Sequence, residues 1–203
     1  MGLIKSPQNL PHQVRIIGGV WRSRQLKVIS QSGLRPSTDR LRETVFNWLG
    51  QDLSGLRCLD LFAGSGALGF EAASRNASVV QLIEKDKIAF LNLSKNLQNL
   101  NSYPAVGQVS LIQADGCRFL KSQANQSWDL LFIDPPFQEP QLLLDTLKEA
   151  ERVCSATSRS AIYIECSAKI NQAKLMASVQ NWTCVKELQI GQALALLLRA
   201  SSG

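Results

Sequence analysis

Short apolar runs alternate along this chain with segments whose apolar residues recur at helical spacing. The run opening at Cys58 and the runs Val79–Glu84, 109–112, 128–133 and 160–165 predict strands. Between and after them, Ala67–Ser74, Lys87–Leu100, 118–123, Pro140–Val153 and 169–179 predict helices, with Ile88, Leu91, Leu97 and Leu100 facing inward from the second. Segments 182–189 and 193–199 close around Gly191 as a hairpin. Such alternation predicts a mostly parallel sheet with helices on both faces. The final hairpin supplies an antiparallel strand. Ahead of the main body, residues 1–13 read as an arm, then 15–17 and 20–29 as two short strands broken by Gly18-Gly19. That piece is too small to hold a core and should lie against the rest. A turn at 33–36 precedes a helix capped by Ser37 or Thr38, with Leu41, Val45, Trp48 and Leu49 as its stripe and Gly50 as its end. The division expected is an N-terminal extension over 1–36 and a main domain over 37–203.

Composition narrows the class. With 203 residues, 45% hydrophobic and 19% charged, the chain reads as one globular domain. Lys and Arg number 22 against 16 Asp and Glu, a formal charge of +6. The excess is concentrated early: Arg15, Arg22, Arg24, Lys27, Arg35, Arg40 and Arg42 face the single acid Asp39 between positions 15 and 42. A solvated strand face explains these arginines as plainly as a nucleic-acid ribbon does, until the neighbouring site tips the balance. Five cysteines without CxxC spacing and one histidine, His12, offer no zinc-type cluster and no Cys–His or Ser–His pair. No metal is expected. With no apolar run long enough to span a bilayer, a reduced cytoplasmic protein without a membrane partner is expected.

The chemistry gathers where predicted strands end. Gly64-x-Gly66-x-x-Gly69 follows the first main strand and opens a helix, a turn that lets a nucleotide-like ligand approach three exposed backbone N–H groups. The spacing alone does not separate NAD from other adenosine cofactors. Glu84 ends the second strand, suitably spaced to bond ribose hydroxyls, and Asp115 follows the third, placed for an adenine amine. Asp134-Pro135-Pro136-Phe137 follows the fourth. The Asp134 carboxylate and Pro135 carbonyl can accept both hydrogens of one planar amine, and Phe137 offers a face for a stacked base. An amine so held turns its lone pair toward the cofactor pocket, for which hydride transfer has no use.

These motifs, with Arg15-Ile16-Ile17-Gly18-Gly19, the segment Leu34-Arg35-Pro36-Ser37-Thr38-Asp39-Arg40-Leu41-Arg42-Glu43-Thr44-Val45-Phe46-Asn47-Trp48-Leu49 and the Gly191-Gln192 turn, resemble the RsmD family of bacterial S-adenosylmethionine-dependent methyltransferases. The resemblance runs from Arg15 to Arg199. It implies a Rossmann-like class I α/β fold, with a seven-stranded sheet of order 3-2-1-4-5-7-6, a small N-terminal β-hairpin extension, and methylation of guanine N2 in 16S ribosomal RNA. A monomer is expected. Carried over by motif position, Asp60, Phe62, Ala63, Gly64, Gly66, Glu84, Lys85, Asp115, Gly116 and Thr38 would hold S-adenosylmethionine. Asp134, Pro135, Pro136 and Phe137 would form the catalytic clamp. Arg15, Arg22, Arg24, Lys27, Arg35 and Arg40 would meet RNA, naked or within an assembling small subunit. The run Leu194-Ala195-Leu196-Leu197-Leu198 departs from the family's aromatic and polar last strand. An adenine-N6 methyltransferase uses the same kind of clamp, and a non-catalytic RNA-binding module would use the basic ribbon alone. Both stay open at this point.

Overall fold

The apolar runs and helical stripes stack into three layers in a computed structural model that describes residues 12–29, 39–103 and 107–201. β1 (His12–Arg15) and β2 (Gln25–Val28) pair antiparallel as a small separate ribbon. α1 (Asp39–Leu49) follows. Strands and helices then alternate: β3 (Arg57–Asp60), α2 (Ala67–Ser74), β4 (Val79–Glu84), α3 (Lys87–Leu100), β5 (Gln108–Gln113), α4 (Gly116–Lys121), β6 (Leu130–Ile133), α5 (Pro140–Val153), β7 (Ala161–Ser167), α6 (Gln172–Met176), β8 (Trp182–Ile190) and β9 (Ala193–Ala200). The main sheet runs β5-β4-β3-β6-β7-β9-β8, parallel as far as β7 and antiparallel through β9 and β8. This is the order 3-2-1-4-5-7-6 that the family resemblance implies.

Alternating side chains along each buried strand feed two cores. One face packs Cys58, Val80, Leu82, Phe132, Tyr163, Ala195 and Leu197 against the ribbon and α1, α2 and α3. The other packs Leu59, Leu131, Ile133, Ile162, Ile164, Leu196 and Leu198 against α4, α5 and α6. β9 explains its own composition. Lying between β7 and β8 with 194–198 wholly buried, it needs apolar side chains on both faces.

Several expectations shift at their edges for local reasons. β1 starts at His12, so the end of the expected arm is already paired. α4 starts at Gly116, because the Asp115 side chain accepts from the Arg118 amide and caps it there. α6 shrinks to Gln172–Met176, capped by Asn171. Trp128 bridges to Cys154, leaving β6 to begin at Leu130. On α3, Ile88 and Leu91 face solvent, and the inward stripe is Ala89, Leu93, Asn96 and Leu100. On α1, Arg42 and Phe46 join Leu41 and Val45 inside, while Trp48 is half-buried against the core.

The ribbon docks through polar contacts to α2 as well as through Ile16, Trp21 and Leu26, which enter the main core. Glu71 accepts from the Ile17 and Gly18 amides at 2.7 and 2.8 Å and pairs with Arg75. Ser74 Oγ accepts from the Trp21 amide and donates to the Gly18 carbonyl. Gly19, at φ +72, presses on the same turn: an added Cβ would stand 1.7 Å from the Ser74 carbonyl oxygen. The Gly18-Gly19 break is thus the contact point between the ribbon and α2.

Candidate active site

β3, β4 and β6 end side by side: Asp60 ends β3, Glu84 ends β4, and Asp134 is the first residue past β6. Asp60 closes β3 fully buried. Its Oδ2 accepts from the Gly69 amide at 2.9 Å, while Oδ1 has no hydrogen-bond partner among the described residues. Burial pushes this carboxyl up to about 7, against the lowering by the Gly69 and Phe62 amides. Gly66 sits at φ +85, where an added Cβ would meet Phe70 at 2.3 Å and Leu93 at 2.7 Å. Above Gly64 there is open space: a Cβ there would meet nothing within 4 Å. Gly69 lets α2 close onto β4, with Leu82 at 2.6 Å from the same kind of probe.

The turn's amides are used differently from the expectation. Gly64 N donates to Glu84 Oε2 at 2.8 Å, Gly66 N to the Ala63 carbonyl at 2.7 Å, and Gly69 N to Asp60. Ala63 N donates to the Ile83 carbonyl. These three glycine amides are spent on holding the turn, because a tight strand-to-helix reversal must satisfy its own donors. Glu84 also accepts from the Asp86 amide at 2.8 Å, so both its oxygens brace the loops around the pocket. Phe62 is half-buried beside the turn. Asp115 caps α4 and pairs with exposed Lys85 at 3.2 Å, and the Arg118 amide foremost holds its carboxyl below the usual range. Gly116 packs its Cα against the Leu61 carbonyl, where a Cβ would stand at 2.3 Å.

The Asp134–Phe137 segment leaves β6 next to this floor. Asp134 is half-buried, Pro135 buried, and Pro136 exposed. The Pro136 carbonyl accepts from the Glu139 amide, turning the chain into α5. Phe137 is 36% exposed, unusual for a phenylalanine and available as a stacking face. Burial, then Glu165, then Asp60 drive the Asp134 carboxyl well above its ordinary value. Glu165 was not singled out from sequence. It ends the apolar run of β7 just as Asp60 ends that of β3, and carrying the same strand-end search to the fifth strand finds it.

The basic residues divide by use. Arg22 and Lys27 are exposed on the ribbon. Arg24 lies over the Tyr103 ring at 3.5 Å from its centroid, and Arg15 pairs with Asp39 at 2.8 Å. Arg40 is exposed on α1. Arg42 is wholly buried, donating to the Arg15 carbonyl and Asp39, and burial foremost lowers its pKa. Arg35 and Thr38 lie outside the described residues. Asn96 ties the ribbon to the glycine turn: it donates to the Ser65 and Lys27 carbonyls and accepts from the Lys27 amide, each at 3.0 Å.

This floor fits S-adenosylmethionine. The unpartnered Asp60 Oδ1 suits an ammonium, the space above Gly64 admits a ligand without a side chain in the way, and Glu84 and Asp115 follow on the neighbouring strands β4 and β5. A family model described as conserved hypothetical protein 95 matches residues 14–199. The chain is 39% identical over 199 residues to ribosomal RNA small subunit methyltransferase D of Haemophilus influenzae, covering 94% of this chain and 95% of that protein. It is 40% identical over 192 residues to the protein of the same name from Escherichia coli K12, covering 94% and 92%. The solved structure of Escherichia coli yhhF superposes with a TM-score of 0.77 at 38% identity, covering 95% of this chain and all, 100%, of the other. The cofactor is S-adenosylmethionine. From Val14 to Arg199 the chain belongs to the conserved hypothetical protein 95 family, that of the small-subunit ribosomal RNA methyltransferases D.

Proposed function

We propose that the protein methylates the exocyclic N2 amine of a guanine in 16S ribosomal RNA. The observation that supports this reading is that the Asp134–Phe137 segment follows two residues after Phe132, the register partner of Asp60, with Asp60 close enough to act on the Asp134 carboxyl. S-adenosylmethionine supplies, when bound, an electrophilic methyl group. Asp134 and the Pro135 carbonyl accept the two amine hydrogens and aim the nitrogen lone pair across the strand ends. Phe137 stacks on the flipped base, a contact of about 1–3 kcal/mol. Asp60 Oδ1 holds the ammonium of the methionine end, Glu84 the ribose, and Asp115 the adenine. Alkylation leaves the nitrogen with one proton too many, and Asp134, whose surroundings favour its protonated form, takes it.

The ribbon and its surroundings form the RNA side, with Arg22 and Lys27 on phosphates, Arg15, Arg24 and Arg40 beside them, and Arg35 contributing from the segment before α1. Residues 1–36 then act as an RNA-contacting extension to a methyltransferase domain over 37–203. The test is methyl transfer to 16S ribosomal RNA, both free and in assembling subunits, with the product nucleoside identified by mass. N2-methylguanosine is expected. N6-methyladenosine would move the reading to the adenine alternative, and RNA binding without transfer would leave only a binding module.

A further inference from the structure

Three acids line one face of the sheet at the carboxyl ends of three adjacent strands. Asp60 pairs in register with Phe132, and Phe132 with Tyr163. Two residues on from Phe132, just past the end of β6, stands Asp134, and two residues on from Tyr163, within β7, stands Glu165, so strand alternation continued one step past β6 sets all three acids on that face. The last β6–β7 pair is Ile133 with Ile164, so Asp134 and Glu165 are the next residues of the two chains, near enough for Glu165 to act on the Asp134 carboxyl. Glu165 is only 4% exposed, and the Tyr163 hydroxyl donates to its Oε2 at 3.2 Å. Tyr163 is itself wedged edge-on against Phe132. No group of three or more His, Cys, Asp or Glu among the described residues is arranged to hold a metal ion.

We infer that Glu165 is the residue that selects guanine, accepting the N1–H of the target base while Asp134 and Pro135 hold its N2 amine. This deepens the proposed function and rests on it. Guanine carries two kinds of donor side by side on its pairing edge, the N1–H and the N2 amine. An acceptor beside the amine clamp matches that pair. Adenine and cytosine instead present a ring-nitrogen lone pair next to their amines, and a carboxylate facing a lone pair repels it. Tyr163 fixes the Glu165 oxygen that does not face the base. β7 keeps the carboxyl in line with the clamp, so it reads the same edge that reacts. The chemical class selected is a purine with a protonated ring nitrogen beside its reactive amine.

The experiment uses the whole protein and RNA carrying, at the target position, either guanine or 2-aminopurine. The analogue keeps the N2 amine and replaces N1–H by a lone pair. The wild-type protein is expected to favour guanine in kcat/KM by about 100-fold or more, since a site built to bond a donor rejects the analogue lacking it. Glu165→Gln is expected to narrow that ratio at least tenfold, because a carboxamide can turn its NH2 toward the analogue's N1. A wild-type ratio within a few-fold of one overturns the assignment without recourse to any variant. So does an E165Q protein, folded by thermal melting, that slows both substrates equally and keeps the ratio. In each of those outcomes N2-methylguanosine still forms, so the proposed function stands. Formation of N6-methyladenosine instead overturns both together.

Discussion

Asp134 shows how strongly its setting governs a single residue. An acid takes up a proton only when ionised, and here burial, Glu165 and Asp60 all favour the neutral form. The sign follows directly: the carboxylate is populated only above the raised value, so activity is lost as pH falls through a range higher than that of an ordinary aspartate. A pH profile of kcat/KM is expected to show its acidic limb displaced upward. Replacing Glu165 by Gln removes the second-largest cause and is expected to bring the limb back down. A limb in the ordinary carboxylate range for the wild type would contradict the burial argument. Glu84 has both side-chain oxygens engaged by backbone amides. Glu84→Ala is expected to weaken cofactor binding by about 1.5–3 kcal/mol, read by calorimetric titration, as charge-assisted bonds and the turn they brace are lost together.

Among the elements, the ribbon's attachment to α2 is the one most exposed to a single change. Gly19→Ala forces a methyl group into the Ser74 carbonyl at a backbone conformation L-residues rarely adopt. Overpacking and strain together are expected to cost about 2–4 kcal/mol, seen in thermal or denaturant melts. Hydrogen exchange at the Ile17 and Gly18 amides is expected to rise first, since those amides depend on Glu71. The boundaries of α2, β4, α3 and α5 were all legible in sequence, because a clean change of period marks each of them. Facing was harder to read. Asn96 and Arg42 point inward although polar, because each finds partners at 3.0 Å or less on a neighbouring backbone, and no hydrophobic stripe announces that. Glycine spacing located the turn, yet spacing says nothing of which atoms its amides bond. Glu165 was readable in principle, as an acid ending an apolar run, but its partner across the sheet became evident only with the register of β6 and β7.

At the scale of the whole molecule, Arg22 and Lys27 are exposed on the ribbon, whereas Asp60 and Glu165 are buried at strand ends. Phosphate contact releases counterions, so each contact removed is expected to lower the magnitude of the salt slope of RNA binding by about 0.7–0.9. Arg22→Ala with Lys27→Ala is the cleaner pair, because Arg24 also packs on Tyr103 and Arg15 also pairs with Asp39. Affinity is expected to fall for every RNA tested, with cofactor affinity unchanged. A salt slope equal to the wild type's would place the RNA on another face.

Asn96 has a consequence of a different kind. One buried carboxamide grips the carbonyl of Ser65 in the cofactor turn and both backbone groups of Lys27 in the ribbon. A ligand that steadies either end lowers the entropy left for the other ligand to remove. Reciprocity then demands that RNA tighten the cofactor by the same factor as the cofactor tightens RNA. Cofactor titrations with and without RNA are expected to differ several-fold in the wild-type protein and to converge in Asn96→Ala, so the two ligands would arrive as a cooperative pair rather than as independent guests.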